Sequence, residues 1–224
     1  VDVDSLAPFT NSKFVTARGV ELMKTTWEPV GVEVPKGQII LCHGYGGCRP
    51  GAYPWGRFAR AGYKVDGLDM EGHGQSPGVR VYIKSFNNYI ADVVQLRNDV
   101  AKDNEARLAA ARAALPCFLH GESMGGAVAM LTAHEHGELF DGAVLVAPMA
   151  AVDEQLMPPA CIVSILTCFS KCCPTAACVP GPNVVPLAFK DKRKTDRVMK
   201  LDPYFFNKQP RLGSAVQLVC GFPL

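Results

Sequence analysis

Short apolar runs separated by glycine-rich punctuation dominate the first two thirds of this chain, and one longer segment repeats its apolar positions at helical spacing. Residues 13–16 and 20–27 alternate apolar and polar positions on either side of Arg18-Gly19, which predicts an opening β-hairpin. The run Gln38-Ile39-Ile40-Leu41-Cys42-His43 is apolar almost throughout, as expected of a parallel strand covered on both faces. Residues 53–61 predict a short helix and residues 63–68 the next strand. Ile90, Val93, Val94, Leu96 and Val100 recur at helical spacing, so the pattern predicts a helix over 88–114, alanine-rich from residue 101. A strand then runs from Pro116 towards Ser123, a helix from Met124 to about His136, and a further buried-type strand over 142–147. Strands alternating with helices at this interval predict an α/β protein with a doubly wound, mainly parallel sheet. Chemistry in such sheets gathers at the carboxyl ends of the strands. Four stretches fall there: His43-Gly44-Tyr45, Asp69 to Ser76, His120 to Gly125, and Pro148-Met149.

After Pro148 the rhythm changes. Pro158-Pro159, Pro174, Pro180-Gly181-Pro182 and Pro186 interrupt a long stretch with few strand signals, which predicts a lid after the core of 1–148. Beyond the lid no further buried-type strand is found, since the 214–220 run is short. The longest apolar stretch, 161–169, contains Ser164 and Thr167 and is closed by Ser170-Lys171, far short of the ~20 residues that span a bilayer. The opening Val1-Asp2-Val3-Asp4 has neither the basic nor the apolar region of a secretory signal, and it begins without methionine, which leaves a processed or missing upstream segment as one reading.

Charge and cysteine content narrow the classes. With 23 basic and 21 acidic residues interspersed, a net charge of +2 argues against nucleic acid as a partner. Nine cysteines, an odd number, are read as reduced thiols of a cytosolic-type compartment. The cluster Cys161, Cys168, Cys172, Cys173 and Cys178 has irregular spacing and no nearby histidine, so it is read as small apolar filler rather than a metal site.

Gly121-Glu122-Ser123-Met124-Gly125 lies between a buried strand and a helix of small residues. Glycines on both sides of Ser123 allow a turn so sharp that bulky neighbours would clash, and such an elbow presents a nucleophilic serine. The helix starting at Met124 points its positive end at the same spot. Fixed N–H donors for a tetrahedral oxyanion are expected from the backbone of Met124 and of Tyr45 in His43-Gly44-Tyr45-Gly46-Gly47. His43 and His73 sit in glycine-rich loops and are read as braces. His120 lies below the elbow, His134 and His136 are surface positions, and Asp69 orients its loop.

Four motifs occurring in order, His43 to Gly47, Asp69 to Ser76, Tyr82-Ile83-Lys84-Ser85-Phe86 and His120 to Gly126, together with Asp141 to Met149, resemble the monoacylglycerol lipase-like serine hydrolases. Their lysophospholipase and caffeoylshikimate esterase branch is the nearest in character. The resemblance runs from about Phe14 to about Leu218. It implies an α/β-hydrolase fold, Ser123 as nucleophile, Tyr45 and Met124 as oxyanion-hole amides, and His43, Gly44 and Glu122 lining the substrate site. It also implies that the lid is the family's cap and spans 149–209; residues 210–218 resemble the first helix after that cap, and 210–224 reads as a remnant of the C-terminal core. The implied substrates are small acyl esters, with no cofactor or metal, and the cap would make transient contact with membranes or micelles. The family's acid and histidine lie beyond the cap, and only 101 residues follow Ser123, none matching those positions. The expectation is therefore a truncated copy, with impaired activity or none. Two further readings share the same residues: a non-catalytic acyl-binding module, and an acyltransferase using Ser123. Peptidase activity is a less favoured use of the same fold.

Overall fold

The computed structural model describes residues 7–47, 55–108, 115–151, 159–177, 179, 203–206 and 208–220. Tyr53 and Pro54 of the first expected helix, the alanine-rich 109–114, Cys178, the Pro180-Gly181-Pro182 break and the last four residues lie outside them, as does much of the expected lid.

The hairpin forms as β1 (Thr10–Val15) and β2 (Glu21–Trp27), antiparallel, with Phe14 opposite Leu22. The first parallel strand is β3 (Gln38–Cys42), buried at every position, followed by α1 (Gly56–Arg60) and β4 (Lys64–Leu68). Helix α2 (Phe86–Leu108) leads to β5 (Cys117–Glu122), α3 (Met124–Glu135), a 3₁₀ turn (Gly137–Leu139) and β6 (Gly142–Val146). Helices α4 (Ala160–Cys172) and α5 (Leu212–Cys220) follow and pack on one another.

The sheet order is β1-β2-β4-β3-β5-β6. Its centre, β4-β3-β5-β6, is parallel, and the hairpin joins it antiparallel through β2 and β4. This is the α/β-hydrolase arrangement. Period-2 alternation sends β3 and β5 side chains to two separate cores. Ile40, Cys42 and Leu119 pack with Phe86, Tyr89, Val93 and Leu96 of α2 and with Met124 and Val128 of α3. On the other face Ile39 and Leu41 join Trp27, Trp55, Ala59 and Val65.

One expectation changes. The run at 142–146 is a strand, but an exposed one: Val144, Leu145 and Val146 are 55%, 37% and 44% exposed. Among the described residues it is the outermost strand, so one edge and much of its surface meet solvent. The C-terminal segment forms a helix, as the resemblance at 210–218 implies, with Leu212 and Ser214 buried. The serine hydroxyl donates to the Val81 carbonyl at 2.8 Å and accepts from the Ile83 amide at 2.8 Å. α5 is thereby fixed to the loop before α2. No described helix is long and apolar enough to cross a membrane.

Candidate active site

Ser123 stands at the junction of β5 and α3 with φ 52° and ψ −119°, a left-handed conformation that a non-glycine residue adopts only under constraint. Three backbone hydrogen bonds supply the constraint. Its amide donates to the Val146 carbonyl at 3.0 Å, and its carbonyl accepts from Ala127 at 3.2 Å and from Met149 at 3.0 Å. β6 and the residues after it therefore hold the elbow from the side while α3 starts above it. The glycines are required by close approach. A Cβ on Gly125 would run into the carbonyl oxygens of Cys42 and His43, and one on Gly126 would lie 2.7 Å from Pro148 Cα. Between these packed neighbours the Ser123 side chain is left exposed.

The loop after β3 lies against this serine: a Cβ on Gly44 would be 3.4 Å from Ser123 Cβ. Its shape is fixed by His43, 6% exposed. The Met70 amide donates to Nε2 at 3.0 Å, so Nδ1 carries the proton and donates to the Gly44 carbonyl at 2.8 Å. With both nitrogens bonded to backbone, His43 braces the loop that carries Gly44 and Tyr45. The Tyr45 hydroxyl donates to the Val81 carbonyl at 3.1 Å, and burial pushes its pKa up to about 12. Phe206 closes the far side of the loop, its amide donating to the Gly46 carbonyl at 2.8 Å. Gly46 has φ 72°, and any Cβ there would lie 2.6 Å from the Phe206 carbonyl oxygen.

A second loop supports the first. The Asp69 carboxylate accepts from the Gln75 amide at 2.8 Å, and the Ser76 hydroxyl donates to the Asp69 carbonyl while accepting from Met23 N–H. Asp69 thus orders its loop, as its sequence position suggests. His73 is fully buried, its ring 5.1 Å from that of His43 and 5.7 Å from that of Tyr45. Its Nδ1 donates weakly to the Glu71 carbonyl at 3.3 Å, and Nε2 has no hydrogen-bond partner among the described residues. Desolvation, then the neighbouring His43, lowers its pKa well below the ordinary histidine value, so the ring is neutral.

Arg18 is the residue that pattern reading misses. At the hairpin turn its guanidinium forks to Glu71 and Asp92, each at 2.7 Å. Pairs this far apart in sequence leave no periodic trace; an arginine beside a turn glycine is the only signal. Arg80 is a second such residue, donating to the Gly74 carbonyl at 2.7 Å and the Tyr204 carbonyl at 2.8 Å.

None of the five histidines is placed to take the Ser123 proton. His120 turns to the opposite face of the sheet, with Trp55 at 4.8 Å and Phe58 at 5.6 Å between ring centroids. His134 and His136 lie near the far end of α3, about 16–20 Å along the helix at 1.5 Å per residue. Glu122, half-buried beside the elbow, has its pKa raised to about 7 by desolvation. The described residues hold no cluster of three or more metal-ligating side chains.

The family described as serine aminopeptidase, S33, matches residues 33–222. Human monoglyceride lipase is 34% identical over 148 residues, covering 63% of this chain and 44% of that protein. Caffeoylshikimate esterase of Arabidopsis thaliana is 28% identical over 213 residues, covering 94% of this chain and 61% of that protein. A solved structure of a soluble variant of monoglyceride lipase from Saccharomyces cerevisiae has a TM-score of 0.71 at 18% identity, covering 96% of this chain and 68% of that one. This chain thus spans about half the length of the curated relatives it matches. With the elbow, the braced loop beside it and this family match in place, the chain belongs to the monoacylglycerol lipase-like serine α/β-hydrolases.

Proposed function

We propose that the chain carries the nucleophile and oxyanion side of a carboxylic ester hydrolase, acting on monoacylglycerols, lysophospholipids or related small acyl esters. The observation that carries this reading is the strained, exposed Ser123 with the Gly44 backbone against it. Ser123 Oγ attacks the ester carbonyl, and the Tyr45 and Met124 amides take the developing oxyanion. The tetrahedral adduct collapses to an acyl-enzyme as the ester oxygen leaves as alcohol with the proton given up by Ser123 Oγ, and water then adds to the acyl carbonyl, releasing the acid and returning a proton to Oγ. Gly44 and Glu122 line the approach, and no cofactor enters. The cap, whose described helix is α4, contacts membrane or micelle surfaces from which such substrates are drawn.

The placement of the five histidines favours a second reading as well. A serine with no histidine beside it among the described residues retains binding and oxyanion contacts, worth ~10³–10⁴ over water in serine proteases, rather than full turnover. That describes an acyl-binding module. The two readings separate on covalent labelling. A fluorophosphonate probe is expected to label the wild-type chain and not Ser123→Ala; wild-type labelling no faster than that of the variant would leave only the binding module.

A further inference from the structure

The described cysteines of the cap do not fill a core. Cys161, Cys168, Cys172 and Cys173 are free and exposed, all but Cys173 on α4 itself, and the filler reading fails for them. At about 100° per residue, Cys161, Cys168 and Cys172 fall within about 40° of one another, with Ile165 among them, a stripe ~16 Å long. Ile162 and Phe169 flank the stripe on one side, and Ser164 and Lys171 on the other. Burial agrees with this projection. Val163, Leu166, Thr167 and Ser170, on the reverse face, are half-buried, whereas Ile162, Ile165 and Phe169 are 39%, 54% and 61% exposed. The outward face of α4 is thus thiol and hydrocarbon, with Lys171 as the helix's one charge.

We propose that this stripe is a site of S-acylation, and that its occupant is the interfacial zone of an anionic bilayer. Exposed thiols on an amphipathic helix are the substrate that acylation requires. A helix presenting Ile162, Ile165 and Phe169 to the interface brings those sulfurs to the depth where a long-chain acyl donor resides. The sequence around the helix is basic as well: residues 160–200 hold seven Lys or Arg and two Asp, net +5, in a chain whose net charge is +2, a composition drawn to anionic lipid. The two core thiols, Cys42 and Cys117, are excluded. Burial pushes each up to about 12, which leaves them protonated and out of reach.

In the reaction a cysteine thiolate attacks the thioester carbonyl of a long-chain acyl-CoA. The new S–acyl bond forms, the bond to coenzyme A breaks, and coenzyme A leaves as a thiolate that takes up the proton lost by the cysteine. No oxidant or reductant is involved. One chain gives only marginal, reversible attachment, whereas two chains, or one with a basic segment, hold a protein on the membrane. Three thiols on one face make the attachment graded.

This inference rests on the membrane-facing reading of the cap and not on Ser123 chemistry. The test uses full-length protein expressed in eukaryotic cells, with free thiols blocked by N-ethylmaleimide, then neutral hydroxylamine and thiol capture on resin. Wild type and Cys173→Ser are expected to be captured only after hydroxylamine, and capture is expected to be lost in Cys161→Ser/Cys168→Ser/Cys172→Ser, with the protein moving from the salt-washed membrane pellet to the supernatant. Ser123→Ala is expected to be captured like wild type, because an acyl-serine ester resists neutral hydroxylamine. A thermal melt of the triple variant matching wild type establishes that its loss is not unfolding; if it melts early, the three single Cys→Ser variants take its place. Absence of capture in wild type, undiminished capture in the triple variant, or loss of capture in Ser123→Ala would overturn the proposal. Binding of the purified, unacylated chain to phosphatidylserine vesicles is scored separately and tests the membrane-facing reading itself.

Discussion

Glu122 precedes the elbow serine on β5, and burial there lifts its carboxyl from 4.5 to about 7. The sign of the consequence follows from which state holds the proton. Between about pH 4.5 and 7 the native chain keeps a proton that the unfolded chain releases, so this residue makes stability fall as pH rises through that window. Glu122→Gln removes the titration, and urea unfolding of the variant is expected to lose that component of the pH dependence, on the order of 2 kcal/mol between pH 5 and pH 8 after allowance for residual solvent. An unchanged slope would place Glu122 in solvent. At this scale the sequence is informative wherever a residue's role is local. The glycines around Ser123 announce close packing because few other demands put glycine at both sides of one serine, and the structure finds Cys42, His43 and Pro148 where their Cβ atoms would be. His43 was legible as a brace for the same reason, its partners Gly44 and Met70 belonging to adjoining loops. The partners of Arg18, 53 and 74 residues away, were not.

Arg18 carries the argument to the scale of elements, since it ties the β1–β2 turn to both the Glu71 loop and α2. The Gln95 side chain reinforces the tie, accepting from the Ala17 amide at 2.7 Å and donating to the Val15 carbonyl at 2.9 Å. Glu71 matters beyond its charge, because its carbonyl accepts the Tyr89 hydroxyl at 2.9 Å and faces His73 Nδ1. A hairpin on the sheet periphery thereby steadies the loop that packs against the His43–Gly47 loop. Asp92, 2% exposed at its side chain, already has its pKa raised to about 6 by desolvation, against the opposing hydrogen bond and charge of Arg18. Arg18→Ala leaves that carboxylate without its cation. The expected loss is about 1–3 kcal/mol above pH 7, where Asp92 is charged, and less at pH 5, where it is protonated. Arg18→Ala/Asp92→Asn should recover much of the loss in urea unfolding at pH 8, and no recovery would mean that Arg18 acts through Glu71 alone. Element type and order were readable from periodicity, from the hairpin to α3, because each of these segments has one consistent period. The failure at 142–146 has a plain cause: the run is short and apolar, and periodicity cannot tell a buried strand from an exposed one.

Across the whole molecule the sheet has two unequal sides. The hairpin edge is clamped by Arg18 and Gln95 and carries the Lys13–Glu21 pair across its outermost ladder, whereas β6 at the other end has Val144, Leu145 and Val146 exposed. Yet β6 supplies the Val146 carbonyl that receives the Ser123 amide, and Glu122 is in register with Val146. The strained residue of the site is therefore held on one side by the least protected strand among those described. Local opening requires less free energy where few apolar groups are covered, so β6 should open independently of the β4-β3-β5 centre. Opening releases the Ser123 amide and lets its φ relax from 52° towards ordinary values, which removes the elbow without unfolding the core. Native-state hydrogen exchange is expected to show Ser123 and the bonded amides of β6 exchanging together, at least ~10-fold faster than Ile40 and Leu119, corresponding to a gap of about 1.4 kcal/mol. Covering β6 by any partner would slow both sets in parallel and raise the rate of Ser123 labelling, since the strained conformer would be more populated. Exchange of Ser123 at the slow rate of Ile40, with β6 fast, would show instead that α3 and the Met149 bond hold the elbow alone, and the site would then be independent of its sheet edge.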